Sequence, residues 1–169
     1  MIRPIVKYGE GVLHRPAVAV DEITDDIQLL VDDMIETMFA ASGVGLAAPQ
    51  IGVPQRVFVV DPSLGRHEDG LVIMINPTVV EREGVQTHPE GCLSVPGFEA
   101  PVARPARVVV RGLDRDGKSH EVEGTELLAR AFQHEIDHLD GSLFLNRLRG
   151  IKRDLILRRI KKLQRTDKW

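Results

Sequence analysis

Thr125-Glu126-Leu127-Leu128-Ala129-Arg130-Ala131-Phe132-Gln133-His134-Glu135-Ile136-Asp137-His138-Leu139-Asp140-Gly141 is the stretch whose reading decides how the rest of the chain must fold. Thr125 suits a helix N-cap and Gly141 a stop signal, so the run to Leu139 reads as a helix. Histidines four apart share one helical face and can ligate the same ion. Glu135, next to the first, can then reach a water on that ion as general base, which is the physical content of an H-E-x-x-H pattern. The chain therefore reads as a hydrolase with one metal ion, folded around this helix.

A catalytic centre of this kind needs a third protein ligand and one open position. Beyond His138 there is no further His and no Glu. Gly141 continues the longer H-E-x-x-H-x-x-G-x-x-H pattern, but Phe144 stands where its third histidine belongs. Asp140 is two residues past His138, on the wrong side of the helix. Asp154 and Asp167 remain open, in or after a basic segment. The more attractive candidate lies upstream: Cys92, in Glu90-Gly91-Cys92-Leu93-Ser94, where Gly91 allows close backbone approach. A Cys/His/His set accommodates zinc or ferrous iron without choosing between them.

Working outward, Thr24 with Asp25 and Asp26 opens an earlier helix whose apolar face is Ile27, Leu30, Val31, Met34 and Met38. A third helix is predicted over about 151–164, with Ile151, Leu155, Ile156, Ile160 and Leu163 as a partly apolar stripe. Between the first two helices, Val57–Val60 and Val72–Ile75 are short strands ending at the turns Asp61-Pro62 and Asn76-Pro77. Val108–Leu113 and Ser119–Val122 flank Asp116-Gly117, a hairpin signal. This order predicts an α+β fold: mixed or antiparallel strands around a central metal-binding helix, with an N-terminal and a C-terminal helix. The 169 residues, 43% hydrophobic and 28% charged, fit one domain spanning 1–169.

Charge is uneven. From Lys152 to Lys168 eight basic residues face only Asp154 and Asp167, a local +6 on a chain of net −3, so the remainder carries −9. Such a segment suits a polyanionic partner, or simply a solvated helix face. Cys92 is the only cysteine, which excludes an internal disulfide and points to a reducing compartment. The start, MIRPIVKYGEG, has no targeting pattern, and no apolar run approaches a membrane span, so a cytoplasmic protein is expected.

Three motifs occur in order: Gly43-Val44-Gly45-Leu46-Ala47-Ala48-Pro49-Gln50, Glu90-Gly91-Cys92-Leu93-Ser94, and Gln133-His134-Glu135-Ile136-Asp137-His138. Together they closely resemble the peptide deformylase family, over nearly the whole chain. The first motif is not a phosphate loop, since it follows a helix and lacks the Gly-Lys-Ser/Thr ending. The resemblance implies an enzyme removing the N-formyl group from the formylmethionine of nascent polypeptides and releasing formate. It implies Cys92, His134 and His138 as metal ligands, Glu135 as acid/base, and Gln50 with the Leu93 N–H as oxyanion donors. Backbone near Val44, Gly45 and Gly91 would hold the peptide as an added strand. The ion would be Fe2+, with Ni2+ or Co2+ as working substitutes and Zn2+ often poorer.

By the same resemblance Leu127 and Ala131 line the pocket for the substrate's methionine side chain. Arg130, on that face, is expected either to pack its stem there with its charge in water or to point outward. Asp137 would pair with Arg104, tying the cysteine segment to the histidine helix. The basic helix would dock on the ribosome, with no membrane and no other nucleic acid as partner. His14, His67, His88 and His120 are expected on the surface or in strands, away from the metal.

Overall fold

A computed structural model describes residues 1–169. Three helices, α1 (Asp25–Ala40), α2 (Glu126–Leu139) and α3 (Ile151–Arg165), combine with seven strands. The strands are β1 (Gly45–Ala47), β2 (Val57–Val60), β3 (Val72–Glu83), β4 (Gln86–Cys92), β5 (Val95–Arg104), β6 (Arg107–Leu113) and β7 (Ser119–Thr125). One sheet has the order β1-β2-β3-β6-β7 and the other is the β4–β5 hairpin. All strand pairs are antiparallel, as the α+β reading expects; a single parallel bridge joins Val18 to Gln55.

β2 explains how the layers stack. Its four residues are all buried, and alternation sends them to opposite faces. Val57 and Val59 pack with Val31, Met34 and Met38 of α1. Phe58 and Val60 pack with Ala129, Phe132 and Leu139 of α2, and the Phe58 and Phe132 rings lie 5.8 Å apart. The sheet thus carries α1 on one face and the histidine helix on the other. A third cluster joins Val95, Ala100 and Val102 of β5 to Phe144, Ile156 and Ile160.

Several expectations change. Asn76-Pro77 does not end β3. The strand runs on to Glu83 through an irregularity in its pairing with β6, where Asn76 takes a left-handed φ of 53°. The Asn76 amide bonds both Val20 N and Val20 O, so the loop before α1 satisfies what the ladder cannot. Thr24 caps α1 by accepting from Ile27 N, whereas Thr125 holds the cap position of α2 without a side-chain bond. In α3 the stripe narrows. Ile156 and Ile160 are buried, but Ile151 and Leu155 are 77% and 58% exposed. β1, β4 and β5 were not expected as strands. No helix is long and apolar enough to cross a membrane.

Candidate active site

β1 is an edge strand, and between it, the β4–β5 hairpin and α2 lies a cleft of about 650 Å³. Cys92 enters from the end of β4, His134 and His138 from α2. Their Sγ and ring nitrogens lie within 4.8 Å of one another, with Cys92 Sγ 3.3 Å from His138 Nε2. Tetrahedral ligands at ordinary metal–sulfur and metal–nitrogen distances stand about 3.4 Å apart, so donor set and spacing fit one ion. The open alternatives fall away. Asp140 pairs with Arg56 at 2.9 Å, and Asp154 and Asp167 are exposed residues outside this cleft.

Glu90 organises the centre, and the sequence reading missed it. Its Oε1 accepts from Arg104 Nε at 2.7 Å and Arg130 Nη1 at 2.6 Å. Its Oε2 accepts from Arg104 Nη2 at 2.5 Å and meets His134 Nδ1 at 2.7 Å. With Nδ1 held there, Nε2 of His134 is left for an ion. Burial works against charge on Glu90, but Arg104 and His134 outweigh it and hold the carboxyl below its usual range. Burial also opposes charge on His134, yet its contacts with Cys92 and Glu90 raise it well above an ordinary imidazole. His138 goes the other way, driven well down by burial and then by the charge of His134, and its Nδ1 has no partner. Its place two residues before Cys92 would count as a signal only on a regular strand, and this polar segment, whose pairing shifts between Gly91 and Cys92, does not announce one.

Glu135 is buried, and burial raises its carboxyl to about 7 against the lowering charge of His134. Its Oε2 has no hydrogen-bond partner. A Cβ on Gly45 would fall 2.6 Å from Glu135 Oε1 and 3.1 Å from its Cγ, so a larger residue in the edge strand would push the Glu135 side chain out of this position. Gln50 Oε1 accepts from Ala47 N at 2.9 Å, while its Nε2 donates to Ser94 Oγ at 3.2 Å and faces Cys92 Sγ at 3.7 Å. The Leu93 N–H, in the turn between β4 and β5, makes no hydrogen bond within the chain.

Val44, Gly91, Leu127 and Ala131 also line the cleft, Ala131 buried and Leu127 49% exposed. Arg104 is fully buried and donates to Asp137 at 3.0 Å, as expected. Arg147, unforeseen, grips the same carboxylate through Nε at 2.7 Å and Nη2 at 2.8 Å. Arg130 overturns both of its expected placements. Its charge is neither in water nor outward but buried on Glu90, with a further bond to Val102 O at 2.8 Å. A carboxylate inside the fold outcompetes solvent for it. His14, His67 and His88 are exposed, His120 is half-buried, and none joins the site.

A glutamate and a histidine pair on one buried helix, closed by a thiol from a hairpin beside an edge strand, define a metal-dependent hydrolase. The family model described as polypeptide deformylase matches residues 2–154. A peptide deformylase of Acidobacterium capsulatum is 52% identical over 169 residues, covering 100% of this chain and 99% of that protein. The crystal structure of a peptide deformylase from Legionella pneumophila superposes with a TM-score of 0.91 at 41% identity, covering 99% of this chain and 98% of that one. That of the Ehrlichia chaffeensis enzyme in complex with actinonin gives 0.88 at 38% identity, covering 97% and 98%. The chain belongs to the polypeptide deformylase family, metal-dependent hydrolases that remove the N-formyl group from nascent peptides.

Proposed function

We propose that Cys92, His134 and His138 hold one divalent ion, Fe2+ in the working enzyme with Ni2+, Co2+ or Zn2+ as substitutes, and that Glu135, Gln50 and Leu93 carry out the deformylation. The observation that carries this reading is the unpartnered Glu135 Oε2 beside three converging ligand atoms. An ion held there would supply a Lewis acid, polarising the formyl oxygen and making hydroxide available near neutral pH. Glu135 takes a proton from the attacking water as its oxygen bonds to the formyl carbon, and returns that proton to the amine as the carbon–nitrogen bond breaks, giving formate and a free N-terminus. Charge developing on the formyl oxygen meets the free Leu93 N–H and the Gln50 amide, whose Nε2 donates to Ser94 Oγ and Cys92 Sγ here and would turn its second hydrogen from the sulfur to the substrate.

The substrate backbone lies as an added strand between Val44–Gly45 and Gly91, which the edge position of β1 supports. Leu127 and Ala131 receive the methionine side chain. Arg104 and Asp137 brace the ligands from behind. The chain works as one catalytic domain over 1–169 in the cytoplasm, where formylated chains emerge. There α3 presents its basic face to the ribosome, an arrangement supported by Arg158, Lys161 and Arg165 lying together on its exposed side. Anaerobic purification with metal analysis and a formate-release assay on formyl-Met-Ala tests the core of this reading. One equivalent of metal and formate release are expected, with unformylated casein left intact. Cleavage of casein, or formate release from metal-free protein, would overturn it.

A further inference from the structure

Phe98, on β5, lines the cleft on one side and on the other packs against Trp169, ring centroids 6.2 Å apart. Trp169 is fixed in turn. Its indole Nε1 donates to Tyr8 O at 2.9 Å, and Gln164 Nε2 of α3 donates to the same oxygen at 3.3 Å. Tyr8 N then bonds Ser94 O at 2.8 Å, and Ser94 is the residue whose hydroxyl holds Gln50. One aromatic side chain beyond α3 thus packs directly on a residue that lines the cleft, while its connection to Gln50 is remote, through three successive hydrogen bonds by way of Tyr8 and Ser94. An indole N–H held by a half-buried backbone carbonyl favours one orientation.

We infer that Trp169 is a positioning residue for substrate: it holds Phe98 as the surface met by the residues downstream of the formylated one. This rests on the proposed reading of the cleft. With the formyl end at Cys92 and Leu93, the peptide runs back along Gly91. Phe98 flanks that path, since its carbonyl oxygen lies 3.3 Å from where a Gly91 Cβ would stand. A dipeptide substrate ends before Phe98, whereas longer ones cross it.

The test compares formyl-Met-Ala with formyl-Met-Ala-Ser on the metal-loaded full chain. Trp169→Ala should leave kcat on both substrates and KM for the dipeptide unchanged, and raise KM for the tripeptide about two- to tenfold, the ratio set by an aromatic pair of ordinary strength. Trp169→Phe, which keeps a ring but loses the bond to Tyr8, should recover most of that loss. The protein has one tryptophan, so its fluorescence reports this position alone. In a Glu135→Gln background that retains uncleaved substrate, the emission should shift when formyl-Met-Ala-Ser binds. An equal KM change for both substrates in Trp169→Ala, or none, would overturn the proposal. So would emission unmoved at tripeptide concentrations where calorimetry records binding, a test that stands even if Trp169→Ala fails to fold. Failure of the unmodified protein to release formate from formyl-Met-Ala is a separate result. It rejects the reading of the cleft and this inference with it.

Discussion

α2 and α3 are helices of nearly equal length, 14 and 15 residues, yet they are held in opposite ways. Every residue of α2 from Ala129 to Leu139 except Ile136 is buried, and it is fastened by the buried charges of Arg104 and Glu90 and, from the surface, by Arg147. α3 buries only Ile156 and Ile160 and gives its charges to solvent. Ion pairs inside the fold fix geometry because removing one partner strands the other, while charges on an exposed helix can change without structural consequence. The contrast separates a helix that must not move from one free to meet a partner.

The comparison breaks first at Glu135. Glu135→Gln is expected to lower formate release about 100- to 10,000-fold with metal content intact, the range of a lost general base. Gln50→Leu should cost about 100- to 1,000-fold in kcat, again at full metal content. Unchanged turnover would remove Gln50 from the chemistry. Glu90→Gln removes the negative charge and one of the two acceptor oxygens shared by Arg104, Arg130 and His134. Denaturant unfolding should show a loss of about 3–5 kcal/mol, and competition with a chelator should show metal binding about 10- to 100-fold weaker. The smallest effect belongs to α3. Replacing Arg158, Lys161, Lys162 and Arg165 by Gln should move stability by about 0.5 kcal/mol or less per site and leave dipeptide turnover unchanged. Ribosome co-sedimentation at low salt should be lost. If it persists undiminished, α3 is not the docking element.

What could be read in advance follows the same division. His134, Glu135 and His138 were legible because helical spacing alone brings them to one face, and Cys92 because so few other ligands exist. β2 and the α1 face were legible from apolar periodicity. Glu90 was not, because β4 reads Gln86-Thr87-His88-Pro89-Glu90-Gly91-Cys92, a polar segment interrupted by Pro and Gly that carries no strand signal. Its pairing with β5 comes from tertiary structure. The Asn76-Pro77 signal was locally sound, and the irregularity is there, but pairing with β6 carries the strand across it. Arg130 shows the same limit. Nothing in its own helix announces that a carboxylate forty positions away will bury it.

Cys92 is half-buried at the ligand cluster, and the chain has no other thiol. Thiol oxidation therefore has a single address. A sulfenic acid formed there finds no second cysteine in the chain to convert it into a disulfide, so further oxidant carries it toward sulfinic and sulfonic forms that do not return. On the proposed reading, in which Cys92 holds the ion, each thiol lost in this way is one site lost, and counting the remaining thiols would count the sites still able to work.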